Sequence, residues 1–169
     1  FSEMVRFGLI TLVIVVPVRF FIAEPFIVSG ASMEPAFQNG DYLIVDRLSY
    51  KAIEEPGRYD VIIFKYPQNP SKYFIKRIIG LPGEKIELRD KDIIIKNTAV
   101  TDGFSIDQSY IKNFSSDNAT YTLDKDQYFV MGDNRTASSD SRVWGPLPKE
   151  LIVGKAWLRL LPVGEISVF

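Results

Sequence analysis

Residues 61–80 read VIIFKYPQNPSKYFIKRIIG, two apolar runs separated by a break that contains two prolines. Short runs rich in Val, Ile, Phe and Tyr, bounded by turn residues, are typical of β-strands. Residues 85–95, KIELRDKDIII, predict a hairpin around a polar turn. We therefore expect a mainly β protein, with a coiled antiparallel sheet or a barrel-like domain. The predicted strands are Tyr42–Arg47, Val61–Lys65, Tyr73–Ile79, Lys85–Leu88, Ile93–Lys96, Gln127–Met131 and Ile152–Leu160.

The composition of the chain excludes several classes of function. Its 20 basic and 21 acidic residues give a net charge of −1, so the protein has no basic excess with which to bind nucleic acid. It contains no cysteine and no histidine. A thiol nucleophile, a disulfide framework, a Ser-His-Asp triad and the usual zinc sites are therefore excluded. We expect neither a metal nor a cofactor.

The N-terminal part of the chain is strongly apolar. From Phe7 to Ala23 the only charged residue is Arg19. A helix of this length spans about 25 Å, slightly less than a hydrocarbon core of ~30 Å. A cleaved signal peptide would need a small residue where Phe21 stands, and a buried soluble helix would show an amphipathic pattern that is missing here. We therefore predict a single-pass membrane anchor over residues 1–24, followed by a β-rich domain over residues 25–169 with a small excursion at about residues 85–127.

A candidate nucleophile lies in residues 29–37, SGASMEPAF. The small residues before Ser32 let the backbone approach a ligand closely, and Met33, Pro35 and Phe37 could form the wall of an apolar pocket. Taken alone, the motif is better explained by a turn serine that bonds its own backbone. If Ser32 is a nucleophile, a group other than histidine must accept its proton.

The strand predicted at residues 73–79 contains two adjacent cations, Lys76 and Arg77. Successive side chains of a strand point to opposite faces, so one of the two must lie among apolar neighbours unless the strand is at an edge. The alternation does not say which. An arginine stays charged, whereas a buried lysine can lose its proton and act as the base for a serine hydroxyl. The structural alternative is a lysine exposed to water on an edge strand.

Residues 131–145, MGDNRTASSDSRVWG, are dense in hydrogen-bonding groups. Oxygen donors in this segment could suggest calcium, but its two arginines would repel a cation. A network of ion pairs is more natural, with Asp133 or Asp140 bound to Arg77 or Arg142 and with Ser138 free to bond an amine. Such a network could orient a neutral lysine or could serve as a structural brace.

Taken in order, these segments resemble the sequence boxes of type I signal peptidases, the Ser-Lys proteases that remove signal peptides from exported proteins. The pattern K-R-x-x-G-x-P-G-E followed by G-D-N-R-x-x-S-x-D-S-R-x-W-G is the most specific part of the resemblance. The segments that carry it are EPFIVSGASMEPAF (24–37), GDYLIVDR (40–47), YFIKRIIGLPGE (73–84), GDNRTASSDSRVWG (132–145) and VGKAWLRLLP (153–162).

The resemblance implies a role for each site residue. Ser32 would be the nucleophile, Lys76 the general base, and Ser138 a hydrogen-bond partner of the lysine amine. The oxyanion hole would combine the amide of Ser32 with a group at position 30. Several members carry a serine there, whereas this chain has Gly30, so a backbone N–H or a water must replace the hydroxyl. The resemblance further implies that Asp140 and Arg142 brace the site and that Asp133 pairs with Arg77.

The resemblance also implies the substrate and the location. Family members cleave after small residues at positions −1 and −3, on the outer face of the membrane, so the expected partners are signal peptides of preproteins and the lipid bilayer. An extended substrate would add to a sheet edge. Two alternatives stay open: a Ser-Lys self-cleaving regulator of the LexA type, and a non-catalytic anchored β-domain. The residues expected to line the substrate site are Val28, Met33, Phe37, Phe74 and Ile75.

Overall fold

The computed structural model describes residues 2–17 and 23–169, and it consists mainly of antiparallel β-strands. Helix α1 (Ser2–Pro17) precedes the strands, and the short helices α2 (Ser49–Ala52) and α3 (Ser141–Trp144) lie between them. The strands are β1 (Ala23–Ile27), β2 (Tyr42–Asp46), β3 (Val61–Tyr66), β4 (Asn69–Gly80), β5 (Lys85–Asp90), β6 (Asp92–Lys96), β7 (Phe104–Ser105), β8 (Asp117–Thr122), β9 (Gln127–Met131), β10 (Leu147–Pro148), β11 (Ile152–Leu161) and β12 (Ser167–Val168).

These strands form two sheets. The larger sheet has the order β1-β2-β11-β3-β4-β9-β10, with β12 beside β11, and the smaller sheet has the order β7-β6-β5-β8. Among the described residues the pairings of the larger sheet run from β1 to β10 as an open path rather than a closed barrel. Strand β4 pairs with β3 along most of its length, but β9 joins its other side only from Arg77 onward. The first half of β4 therefore has an open edge.

The predicted antiparallel β fold is confirmed, and each predicted strand is present with ends that differ by a few residues at most. The hairpin predicted in residues 85–95 is β5–β6, in which Arg89 pairs with Asp92. Several strands were not predicted. The most important is β8, which lies in the polar excursion and alternates between half-buried and exposed side chains. A strand with one solvent-exposed face and few apolar residues gives a weak sequence signal.

Three groups of buried apolar side chains form the core. One group joins the two sheets, with Ile79 and Phe129 of the larger sheet packed against Ile86 of the smaller one. A second lies under residues 28–37 and contains Met33 and Phe37, both 0% exposed. Burial of a side chain of this size stabilises a fold by about 1.5–3 kcal/mol, so these two residues fix the segment that carries Ser32 to the sheet.

The N-terminal helix presents apolar side chains to its surroundings, among them Phe7, Leu12 and Val13. Across residues 2–17 and 23–169, none of the helices combines the length and the apolar character that a membrane span needs. The transmembrane helix predicted over residues 1–24 includes residues 18–22. These five residues, Arg19 among them, lie outside the described residues.

A close approach between β11 and β2 yields a stability prediction. A Cβ atom at Gly154 would lie 2.2 Å from the backbone oxygen of Asp46, a distance that requires the backbone to move. We expect Gly154→Ala to lower the free energy of unfolding by about 1–3 kcal/mol, because overpacking at a rigid contact is destabilising. Urea denaturation would measure the change.

The matched control is Gly164→Ala, where a Cβ would meet nothing within 4 Å. This variant should unfold at the urea concentration of the parent protein or slightly above it, since loss of a glycine reduces the entropy of the unfolded chain. Equal stabilities of the two variants would contradict the prediction.

Candidate active site

Ser32 lies on a turn between β1 and β2 whose shape depends on its neighbours. Gly30 has a φ of +95°, a conformation that costs a glycine little and other residues more. After Ser32, the Phe37 N–H donates to the Met33 oxygen at 2.9 Å, and both side chains point into the core. The turn is thus held by side chains packed in the core, while Ser32 itself is half-buried beside a cavity.

Lys76 reaches this serine from β4. Its Nζ atom donates to Ser32 Oγ at 2.7 Å and to the Ile75 backbone oxygen at 2.8 Å. Lys76 is 4% exposed, whereas Arg77, on the opposite face, is half-buried. The structure therefore answers what the alternation of the sequence left open: Lys76 is the more deeply buried cation of the two, and in the register of the sheet it lies opposite Ile62, which is itself fully buried.

Burial lowers the pKa of Lys76 to about 8, because a charged ammonium is poorly solvated in this position. The negative charges of Asp140 and Asp133 act in the opposite direction and raise it. At a pH near 8 about half of the amine is therefore neutral, since a group is half-protonated at its pKa. A neutral amine at hydrogen-bond distance from a hydroxyl can accept its proton.

One of the two carboxylates near the lysine belongs to an ion pair with β4. Arg77 donates from Nε to Asp133 Oδ1 at 2.9 Å and from Nη2 to Asp133 Oδ2 at 2.6 Å. Its Nη1 donates to the Tyr59 oxygen at 2.9 Å, and its guanidinium lies 4.6 Å from the centre of the Tyr110 ring. Asp133 is 1% exposed and its charge is balanced by this two-bond pair, which limits its effect on Lys76.

The second carboxylate, Asp140, is 0% exposed and is paired in the same two-bond manner. Arg142 donates from Nε and Nη2 to its two oxygens at 2.8 Å each. Asp140 Oδ2 also accepts the Gly132 N–H at 3.0 Å, and Arg142 contacts Asp117 at 2.9 Å. Because Asp117 begins β8, the smaller sheet is tied to the site through this arginine. This link could not be predicted from the sequence, since β8 itself was not predicted.

One hydrogen bond implied by the resemblance, from the Lys76 amine to Ser138, is absent among the described residues. Ser138 Oγ is buried and has no hydrogen-bond partner among the described residues, so it is not bonded to Lys76. It lies against Gly132, where an added Cβ would come within 2.3 Å of the hydroxyl oxygen. The Gly30 N–H donates to Asn39 Oδ1 at 2.9 Å and is therefore already engaged.

The cavity beside Ser32 has a volume of about 500 Å³. Of the five residues expected to line it, Val28, Phe74 and Ile75 do so. Met33 and Phe37 do not, because the hydrogen-bonded turn directs both side chains into the core. Several wall residues were not predicted, because they come together only when strands that are distant in sequence pair; they include Phe26, Leu43, Ile63, Tyr73, Ala137 and Ser139.

Within the part of the chain that the structure describes, no cluster of three or more acidic residues is arranged to hold a metal ion. The carboxylates that the sequence offered as calcium ligands, Asp133 and Asp140, instead bind Arg77 and Arg142. The chemistry available at this site is therefore that of a hydroxyl, an amine and a charge-balanced network.

The charge balance yields a prediction for the pKa of Lys76. Asp133→Asn removes a negative charge that raises this pKa and leaves the positive charge of Arg77 in place. We expect the pKa of Lys76 to fall below its value of about 8. An NMR titration of protein labelled with carbon-13 at the lysine ε-carbons would measure the change.

Glu84→Gln is the matched control, because Glu84 is also a buried carboxylate paired with an arginine, Arg58, but does not act on Lys76. In this variant the titration of Lys76 should be that of the parent protein. A rise of the Lys76 pKa in Asp133→Asn, or equal shifts in both variants, would refute the electrostatic account.

Comparison with known proteins gives consistent matches. The family model described as signal peptidase, peptidase S26, matches residues 1–161. The probable signal peptidase I-1 of Synechocystis sp. is 36% identical over 179 residues, covering 99% of this chain and 88% of the relative. The signal peptidase I V of Bacillus subtilis is 35% identical over 87% of this chain and 91% of its own length. A crystal structure of a signal peptidase I from Enterococcus faecalis matches with a TM-score of 0.51 and 32% identity, over 60% of this chain and 97% of that one.

Proposed function

Because the chain belongs to the signal peptidase I enzymes of peptidase family S26, we propose that it cleaves signal peptides from exported preproteins with Ser32 as nucleophile and Lys76 as general base. The observation that carries the proposal is the 2.7 Å hydrogen bond between Lys76 Nζ and Ser32 Oγ. Its setting gives it chemical meaning, because burial lowers the pKa of this lysine to about 8.

The reaction is an acyl transfer in two stages. Ser32 Oγ attacks the carbonyl carbon of the scissile bond while neutral Lys76 accepts the hydroxyl proton. The resulting ammonium gives that proton to the leaving amine, so the mature protein departs and the signal peptide remains as an ester on Ser32. Water then attacks the ester, with Lys76 again accepting a proton and returning it to Ser32 Oγ, which restores the free enzyme.

The network around Lys76 supports this cycle. The Arg77–Asp133 and Arg142–Asp140 pairs supply rigid packing without leaving an unbalanced negative charge that would keep the lysine protonated. We assign Ser138 as an additional partner of the amine. Its Oγ has no other hydrogen-bond partner in the described residues, so it is free to accept from the ammonium once Ser32 Oγ has moved to the substrate.

The oxyanion hole is assigned to Ser32 and Gly30. We assign the Ser32 N–H as one donor, because an oxyanion hole commonly uses a backbone N–H close to the attacking serine to stabilise the tetrahedral intermediate. The Gly30 N–H already donates to Asn39 Oδ1, so Gly30 contributes if it exchanges this partner for the oxyanion; otherwise a water must supply the second donor. Loss of one oxyanion donor costs about 3–4 kcal/mol of activation free energy, which makes a second donor necessary.

The cavity supports recognition of an extended, small-residue segment. In the described part of the chain, no strand pairs with β4 before Arg77 on the β9 side, so a substrate strand can add there through backbone hydrogen bonds. Val28, Phe74 and Ile75 then leave shallow space for the side chains next to the scissile bond, which fits small residues at positions −1 and −3. We propose that Met33 and Phe37 contribute only from behind, as supports of the turn.

We further propose that residues 1–24 anchor the enzyme in the cell membrane as a single pass, with residues 25–169 on the extracytoplasmic side. The support is the row of exposed apolar side chains on α1, including Phe7, Leu12 and Val13. An anchor would hold the enzyme where membrane-bound preproteins emerge and would raise their effective concentration. The self-cleaving regulator and the non-catalytic domain receive no comparable support, since the signal peptidase match extends over residues 1–161.

Replacement of the proposed dyad tests the mechanism directly. Lys76→Ala and Ser32→Ala should each lower the rate of preprotein cleavage by at least about 10³-fold, because nucleophile and base act as one unit. Lys76→Arg should fail as well, since a permanent cation cannot accept a proton. The measurement is cleavage of a purified preprotein by detergent-solubilised enzyme.

Lys65→Ala is the matched control, because Lys65 is an exposed lysine on the neighbouring strand β3. It should cleave at the parental rate. Cleavage by Lys76→Ala at the parental rate would rule out the assigned base.

The parental kcat/KM should rise with pH and level off above about 8, where the amine is neutral, and should fall as pH drops through that value.

The anchor is tested by flotation with liposomes. The full chain should float with the lipid, whereas a chain that begins at Ala23 should remain largely in the aqueous fraction, because α1 supplies most of the apolar surface proposed to enter the bilayer. A mock sample without liposomes corrects for aggregation. If the full chain stays in the aqueous fraction, the proposed anchor is wrong.

A further inference from the structure

The turn that carries Ser32 is held by a residue to which the mechanism above assigns no role, Asn134. Its backbone N–H donates to the Ser32 oxygen at 3.0 Å, and its side-chain Nδ2 donates to the Ala31 oxygen at 3.1 Å. Asn134 is 6% exposed, so these bonds do not compete with bulk water. Two successive carbonyls at the nucleophile are therefore fixed by one residue that is distant in sequence.

The other contacts of these two carbonyls are local. Glu34 N–H also donates to the Ala31 oxygen, at 3.2 Å, but it belongs to the same turn. Among the described residues, the hydrogen bonds that reach the two carbonyls from outside the turn come from Asn134. Met33 and Phe37 hold the turn by packing their side chains in the core, whereas Asn134 holds it by hydrogen bonds to its backbone next to the site.

The close approach of the two segments depends on Gly132. A Cβ at this position would lie 2.5 Å from the Ser32 oxygen, which no side chain could tolerate without a shift. The Gly132 N–H in turn donates to Asp140 Oδ2 at 3.0 Å. The segment that contacts the nucleophile is thus itself held by the Asp140–Arg142 pair.

The residue before Asn134 completes the geometry. Asp133 binds Arg77, which is adjacent to Lys76 on β4, while Asn134 binds the backbone of Ser32 and Ala31. Two neighbouring residues therefore bind the two segments that carry the proposed dyad: Asp133 binds the residue next to Lys76, and Asn134 binds the turn of Ser32. A shift of this short segment would change the distance between Lys76 Nζ and Ser32 Oγ, and a misplacement of about 1 Å can cost about 10²-fold in rate.

We propose that Asn134 is a positioning residue that sets the distance between Ser32 Oγ and Lys76 Nζ. The proposal rests on the function proposed above, since a set distance matters only if the two groups react together. It assigns no direct contact with substrate to Asn134. The side-chain bond to the Ala31 oxygen is the part that substitution can remove, because the backbone bond to Ser32 is present with any residue type.

The test compares Asn134→Ala and Asn134→Asp with the control Asn97→Ala. The aspartate keeps the shape of the side chain but replaces the Nδ2 donor with an oxygen. Asn97 is a matched control because its side chain also fixes a local turn, by accepting the Ala99 and Val100 N–H groups and donating to Glu84 Oε1, but makes no hydrogen bond to residues 29–37 or to Asn134. We expect both Asn134 variants to lose about 10- to 100-fold in kcat with KM within about twofold of the parent, because the reacting groups are misplaced while the binding cavity is intact.

Hydrogen exchange read by mass spectrometry provides a second measurement that does not require activity. Amide exchange should become faster in residues 29–37 in the Asn134 variants and should stay at the parental rate elsewhere. Asn97→Ala should match the parent protein in kcat, in KM and in the exchange of residues 29–37.

The outcomes separate this proposal from the function on which it rests. If the parent protein does not cleave a preprotein, the proposed function fails, and the exchange data alone decide whether Asn134 holds the turn. If the parent cleaves and the Asn134 variants keep the parental kcat, the positioning role is overturned while the function stands. Faster exchange throughout the domain together with a lower melting temperature would identify Asn134 as a general structural residue and would also overturn the proposal.

Discussion

The hydrogen bond from Lys76 Nζ to Ser32 Oγ, 2.7 Å long, joins a strand to a turn 44 positions away in sequence, and the lysine that donates it is almost fully buried. A lysine exposed to water has its ordinary pKa and is protonated at neutral pH. Lys76 can therefore accept a proton from Ser32 only if it is buried. Lowering the pKa from its ordinary 10.5 to about 8 costs roughly 3 kcal/mol. The fold must supply that free energy from packing, and the apolar neighbours of Lys76 on β3 and β4 are where it does so.

Burial of a lysine beside two carboxylates would fail if the carboxylates were left unpaired, because their attraction would keep the amine charged. Arg77 and Arg142 prevent this by forming two-bond pairs with Asp133 and Asp140. The same pairs are mechanical links. One ties β4 to the segment after β9, and the other ties that segment to β8 of the smaller sheet. Electrostatic balance and rigidity thus come from the same contacts.

Much of this arrangement could be predicted from the sequence, and the rest depended on contacts that a sequence does not encode locally. Alternating apolar runs predict the main strands. Because the chain contains no histidine, Lys76 is the candidate base for Ser32. Alternation could not tell whether Lys76 or Arg77 is buried, because that depends on which strands pair with β4. Strand β8 was not predicted, because a strand with one solvent-exposed face needs few apolar residues and gives a weak sequence pattern. Phe37 was placed on the cavity wall rather than in the core, since the direction of its side chain depends on hydrogen bonds within the turn.

The open edge of β4 has a consequence for the behaviour of the protein in solution. A strand whose backbone groups lack a partner can pair with the same strand of a second molecule and so begin aggregation. Natural sheets discourage such self-association with prolines and lysines at the exposed edge, and the first half of β4 carries Pro70 and Lys72. The substrate-binding role proposed for this edge requires that it stay free of other copies of the protein, and Pro70 and Lys72 limit such pairing.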